Sequence, residues 1–198
     1  MKTFRSTEGV QRMQPARPTV ADIRAARKRT LPDVIGPGLR VLFCGINPGL
    51  WSAAIGHHFG RPGNRFWPAL HAGGFTDRVF SPYEDGSLLS LGLGLTNLVG
   101  RASAAAAELS EKELRHGRHS LESKVLLHRP ACVAFLGIGA YRIAFSRPQA
   151  ILGRQGETIG ETALWALPSP SGLNAHYQLA DLGRLFAQLR AAFPSGSQ

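Results

Sequence analysis

The sequence predicts an α/β fold: a single domain whose central, mostly parallel sheet of four to five strands is sandwiched between helices. Three observations predict it. Short, nearly continuous apolar runs recur along the chain, and amphipathic stretches fall between them. The length of 198 residues suits one domain with a sizeable core. Parallel strands covered on both faces read as unbroken apolar runs, and strands alternating with helical patterns build such a sheet.

The first strand is expected at Arg40–Gly45, followed by a helix from Arg65 to Ala72. The second strand is Leu93–Leu98. A longer helix runs from Ser110 to Leu127, with Leu114, Leu121, Val125 and Leu126 on one stripe. The third strand is Ala131–Leu136, and a further helix begins after Gly139 with Tyr141. The fourth strand is Ala163–Leu167. The last helix spans Gln178–Phe193, with Leu179, Leu182, Leu185, Phe186 and Leu189 facing inward. Ala102 to Ala107 reads as a loop or the start of a helix. The expected organisation is a basic N-terminal arm over residues 1–30, a domain over 31–193 and a short tail over 194–198.

The net charge of +10 and a pI near 10.8 point to a polyanionic partner, with solubility as the plainer reading. Arginine outweighs lysine, which suits bidentate contacts to phosphate. The arm Met1–Thr30 holds eight basic residues against Glu8 and Asp22, so it carries most of the excess. Within it, Val20–Arg29 is expected to form a short basic helix. The arm either skims phosphates or simply solubilises the chain. No apolar run is long enough for a membrane span and no signal-peptide pattern opens the chain, so a cytoplasmic, nucleoid-associated protein is expected. Cys44 and Cys132 sit in apolar strands and read as buried thiols. No metal site is suggested: the pair His57-His58 lacks a supporting carboxylate and cysteine set.

In an open α/β sheet, ligands lie past the carboxyl ends of the strands. Three motifs land there. Val41-Leu-Phe-Cys-Gly-Ile-Asn-Pro-Gly49 ends the first strand and presents Asn47, an amide with both donors and an acceptor. Asn97 lies near the end of the second strand. Pro168-Ser-Pro-Ser-Gly-Leu173 follows the fourth. An Asx-turn cap is the structural alternative for Asn47.

These stretches, with Gly56-His-His-Phe-Gly-Arg-Pro-Gly-Asn-Arg-Phe-Trp67 and Gly94-Leu-Thr-Asn-Leu-Val99, resemble the mismatch-specific uracil/thymine DNA glycosylases of the uracil-DNA glycosylase superfamily. The resemblance extends over roughly Leu31 to Phe193 and implies that superfamily's fold. It implies a monofunctional glycosylase that flips uracil out of double-stranded DNA at G:U mismatches, with thymine or ethenocytosine as candidate further substrates. It would act in base excision repair as a monomer, leave an abasic site and need no cofactor. In the family, the asparagine matching Asn47 positions the attacking water, and the aromatic matching Phe59 stacks on the flipped base. Backbone N–H groups around Ile46 and Phe59 would hold the base carbonyls, with Ser52 a lesser candidate beside them. The loop Ser169-Pro-Ser-Gly-Leu-Asn174 matches the segment that penetrates the duplex, with Gly172 giving close approach, Leu173 as the wedge, and Ser171 and Asn174 as DNA-binding candidates beside it. Ser169 stands where asparagine is common, and Asn97 where a relative carries lysine. Arg61 and Arg65 are candidates for flanking phosphates, as is Asn97 more weakly. No lysine in the first motif offers a Schiff-base amine, so no lyase step is expected.

Asp85, in the turn-rich Ser81-Pro-Tyr-Glu-Asp-Gly86, is a candidate second catalytic group that could activate water. Its structural alternative is an N-cap for a helix at Ser87–Ser90. Two other function classes stay open: a non-catalytic DNA- or nucleotide-binding module on the same fold, and a phosphate-ester or nucleoside hydrolase.

Overall fold

The computed structural model describes residues 17–194. Its elements run in the order α1 (Val20–Ala25), β1 (Val41–Gly45), α2 (Leu50–Ile55), α3 (Phe66–Ala72), a 3-10 helix (Pro82–Leu91), β2 (Leu93–Asn97), α4 (Glu111–His128), β3 (Cys132–Leu136), α5 (Ile138–Ala144), β4 (Gly153–Ile159), β5 (Thr162–Leu167) and α6 (Leu179–Ala192). The five strands order as β2-β1-β3-β5-β4. All neighbours are parallel except the β4–β5 pair at one edge. The expected α/β sandwich is the observed one.

Alternation along β1 divides the core between the two faces of the sheet, because successive strand side chains point opposite ways. Val41 and Phe43 join Phe66, Phe75 and Phe186 on the side of α3 and α6. Leu42 and Cys44 join Leu121, Val125 and Tyr141 on the side of α4 and α5. Phe43 meets Phe66 and Phe75 edge-on, each with centroids 5.4 Å apart, an edge-to-face geometry that aromatic quadrupoles favour. Both cysteines are free and buried, and burial pushes the Cys132 thiol up to about 12.

Several elements differ from the sequence expectation. β4 was not expected. Its burial alternates, its composition (Gly-Arg-Gln-Gly-Glu-Thr-Ile) is polar, and it sits at an edge, where charged side chains discourage pairing with other chains. α2 follows Gly49 without a side-chain cap and is too short to show a period. The basic helix is α1 alone, closed by the reciprocal Thr19–Asp22 cap and ending at Ala25 rather than at Arg29. The arm's first 16 residues lie outside the described residues. The proposed cap at Asp85 is corrected: the 3-10 helix starts at Ser81, whose hydroxyl and Glu84 form the capping box, and Asp85 lies inside it.

Strand register brings the site together. Gly45 at the end of β1 pairs with Asn97 at the end of β2, and Leu136 of β3 pairs with Leu167 of β5. The chain therefore leaves β1, β2 and β5 on one rim of the sheet.

Candidate active site

A cavity of about 290 Å³ opens on this rim. Its floor is Gly45. A Cβ there would lie 2.6 Å from Asn97 Oδ1 and 3.4 Å from Phe59 Cζ, so only glycine lets these two groups close over the strand end.

Asn47 projects from the turn after β1. Its Nδ2 donates its two protons among three acceptors, the carbonyls of Pro48 (3.2 Å) and Arg101 (3.1 Å) and Ser103 Oγ (2.8 Å), so one proton is shared. Two of these acceptors are carbonyls that cannot donate, so the orientation of the amide is dictated by chemistry. Ser103, buried, donates its own proton to the Ala105 carbonyl at 2.7 Å. Among the described residues, nothing donates to Asn47 Oδ1. The side chain is thus held by its amine end with its acceptor unused.

Phe59 stacks on Phe66 with centroids 4.1 Å apart and planes 23° from parallel. Its φ of 52° is unusual for an aromatic residue and turns the loop so that the ring reaches the cavity. Among the described residues, its backbone N–H has no protein acceptor. Ser52, buried on α2, accepts from Gly60 N at 2.9 Å and fixes this loop from below.

Behind Phe59 lies His58, 2% exposed. Its Nε2 is 2.9 Å from the Pro32 carbonyl, which requires a proton on that nitrogen. Burial pushes the ring below the ordinary histidine range, so it is neutral near pH 7. Its Nδ1 is then an acceptor, and Asn97 Nδ2 donates to it over 3.5 Å. That contact turns the Asn97 carbonyl oxygen toward the cavity floor.

The profile of the Uracil DNA glycosylase superfamily matches residues 32–192 of this chain. The chain belongs to that superfamily. A solution NMR structure from Methanosarcina acetivorans, described as a "putative Uracil DNA glycosylase", superposes with a TM-score of 0.53 at 21% identity, covering 82% of this chain and 98% of that one. At that identity the likeness speaks for the shared fold.

Within this superfamily fold, the structure sorts the sequence candidates. Ile46, Asn47, Ser52, Phe59 and Asn97 line the cavity, as do Arg61, Ser169, Ser171 and Leu173 at its mouth. Leu173 is 70% exposed at the tip of its loop. Gly172 packs beside it against the Gly63 carbonyl, and Asn174 donates back to the Ser169 carbonyl at 3.0 Å, so both shape the loop without lining the cavity. Three candidates are relocated. Asn97 sits in the cavity floor, buried, with its side chain turned to His58 and the end of β1. Arg65 directs its guanidinium into the carbonyls of Ser171, Asn174 and Tyr177, which leaves it little freedom to reach for phosphate. Asp85, 8% exposed, accepts from His58 N at 3.2 Å and lies 3.1 Å from His57 Nδ1, behind the Phe59 loop and outside the cavity lining. It therefore organises that loop and does not itself line the cavity.

Sequence reasoning missed His58, Ser103 and the Ala104–Ala106 wall. Nothing local marks Ser103 among its alanines. In sequence, His58 suggests only a metal ligand, and among the described residues no three His, Cys, Asp or Glu side chains gather to hold one.

Proposed function

We propose that this protein is a monofunctional DNA glycosylase that removes uracil from mismatches with guanine in double-stranded DNA. The observation that carries the reading is Asn47, tethered through three hydrogen bonds from Nδ2 with Oδ1 left to accept from a water at the cavity.

The chemistry suits a neutral amide. The C1′–N1 bond breaks ahead of attack, leaving an oxocarbenium-like sugar and a uracil anion. Water then needs placement more than deprotonation, and orientation carries much of the barrier. The hydroxyl of that water joins C1′, and its remaining proton ends on the departing base or in solvent. The Phe59 N–H is available to a base carbonyl, and the Phe59 ring supplies a flat surface for the base. No amine nucleophile is required, so the product is an intact abasic site.

Asn97 gives the reading its base preference. With its amine turned to neutral His58, its Oδ1 is an acceptor. Uracil and thymine carry a proton on N3 and satisfy it. Cytosine carries a lone pair there, and two facing acceptors in a desolvated site are costly. Leu173 enters the space that the extruded base vacates, as apolar wedges do in unstacked DNA.

The test is incubation of the full chain with labelled duplexes carrying uracil, thymine or ethenocytosine opposite guanine, uracil opposite adenine, and uracil in a single strand. Alkali then cleaves at abasic sites. Excision that is fastest for uracil opposite guanine supports the reading. Tight duplex binding without excision from any substrate would replace it with a non-catalytic DNA-binding module.

A further inference from the structure

We infer that Arg65 is a positioning residue that bolts the base pocket to the duplex-penetrating loop, so that base capture and wedge insertion act as one rigid unit. The inference rests on the glycosylase reading above. Arg65 stands at the start of α3, directly after the loop that carries Phe59. α3 packs along α6, which gives it a rigid footing.

From there the side chain spans the opposite loop. Nη2 donates to the carbonyls of Ser171 (2.6 Å) and Asn174 (2.7 Å), and Nη1 donates to that of Tyr177. The Arg65 backbone N–H donates to the Pro170 carbonyl at 2.9 Å. Gly172 lies so close to the Gly63 carbonyl that a Cβ would approach it to 2.7 Å. The two loops are therefore joined at both backbone and side chain.

The remaining bonds of the loop are local. Ser169 Oγ accepts from Ser171 N at 3.3 Å, and Ser171 Oγ accepts from Leu173 N at 3.3 Å. Leu173 itself is exposed and has little packing to hold it. Among the described residues, every long-range hydrogen bond to Pro170–Tyr177 comes from Arg65. A wedge pushed into a base stack needs a support that does not yield, and this guanidinium is that support. Among the described residues no carboxylate lies within ion-pair distance of Arg65, so its charge also remains in play beneath the DNA-facing loop. Lysine cannot reproduce the arrangement, because one ammonium nitrogen cannot span three carbonyls as a planar fork does.

Arg65→Lys and Arg65→Gln test this in the full chain, with melting temperature as the control for folding. Amide hydrogen exchange over residues 171–177 should speed up about tenfold or more, while the sheet and α6 stay unchanged. Affinity for a duplex carrying a tetrahydrofuran abasic analogue, measured for Arg65→Lys, Leu173→Ala and the pair, should fall non-additively, because Arg65 acts through Leu173. Excision from duplex uracil should drop about ten- to a hundredfold, as expected for the loss of charge-assisted hydrogen bonds. Unchanged exchange in the loop, or additive losses of affinity, would overturn the inference. Exchange and affinity are readable even if the wild type excises no base, so failure of the glycosylase reading is separate from failure of the clamp.

Discussion

Replacing Asn47 and Ser103 in turn gives a graded test of the tethered amide. Asn47→Ala removes the acceptor proposed to place water, together with its three anchors. Loss of one preorganised group that acts in the transition state costs roughly a hundred- to a thousandfold in rate, and that is the drop expected here. Ser103→Ala is milder. It removes the shortest anchor, at 2.8 Å, and leaves the Pro48 and Arg101 carbonyls in place. A neutral hydrogen bond is worth about 0.5–1.5 kcal/mol net, so the amide should lose about two- to twelvefold of its positioning. Neither side chain is charged, so duplex affinity should stay near wild type in both variants. The assay is single-turnover excision of uracil from a duplex, with enzyme in excess, beside a binding titration on the same duplex without uracil. An Asn47→Ala rate within about threefold of wild type would refute the mechanism. A Ser103→Ala variant as impaired as Asn47→Ala would show instead that the serine does more than hold the amide.

Leu173→Ala should reduce the fluorescence rise of a base analogue placed beside the lesion and slow excision, because the unstacking cost is no longer offset by the wedge; unchanged fluorescence and rate would leave Leu173 as loop packing. Asp85→Ala should lower the melting temperature by roughly 2–4 °C for each kcal/mol that its buried bond to His58 N supplies, with Asp85→Asn retaining most of the stability and rate. A rate collapse at unchanged melting temperature in Asp85→Asn would restore its catalytic role. Deleting Met1–Ala16, which holds Lys2, Arg5 and Arg12 against Glu8, should flatten the log–log salt dependence of duplex binding by about 0.9 for each phosphate that these residues neutralise. The deletion should stop there, because Lys28 N and Arg29 O bond to Ala102 beside Ser103, so removing residues 17–30 would disturb the site itself. An identical slope would show that those 16 residues do not touch DNA.

What could be read ahead of the structure follows the range of the interactions involved. The end of β1 was legible because an apolar run broken by Ile-Asn-Pro-Gly is a local signal, and Asn47 stands in it. Three of the four expected strands begin one residue away from their predicted starts, and the second begins where expected, because buried parallel strands are continuous in sequence. β4 was not legible because an edge strand with one wet face reads like a loop. Asp85 was misplaced for a correctable reason: Ser81-Pro-Tyr-Glu84 is itself a capping-box pattern and sets the helix start four residues earlier. Arg65, His58 and Ser103 were illegible in a deeper sense. Their side-chain partners are 106 or more, 26 and 56 residues away along the chain, so only the fold can say which group each one meets.

The cavity lining itself supplies a last prediction, because Asn47 and Asn97 do not titrate and His58 is neutral. Burial penalises the charged form of His58 more than the Pro32 carbonyl and Asp85 favour it, so its proton binds below the ordinary value of 6.5. In the window between that value and the lowered one, the unfolded chain takes up more protons than the folded one, and stability falls as the pH drops through it. Function should fall at the acid end of that window, where the folded ring itself takes up its proton. A protonated His58 carries hydrogen on both nitrogens, so Nδ1 can no longer accept from Asn97 Nδ2. Asn97 must then turn its oxygen toward the ring and its amine toward the base, which reverses the preference for a protonated N3. Excision of uracil should therefore stay flat down through pH 6.5 and decline only as the pH nears the lowered value of the folded ring, with Asp33, His57 and Asp85 as the other charged or titratable groups facing the ring. His58→Gln keeps a donor for the Pro32 carbonyl and an acceptor for Asn97 but does not titrate. It should retain activity near neutrality and lose the acid decline. An acid limb centred at or above 6.5 in the wild type, or one that survives in His58→Gln, would show that some other group governs the profile and that Asn97 is not oriented through His58.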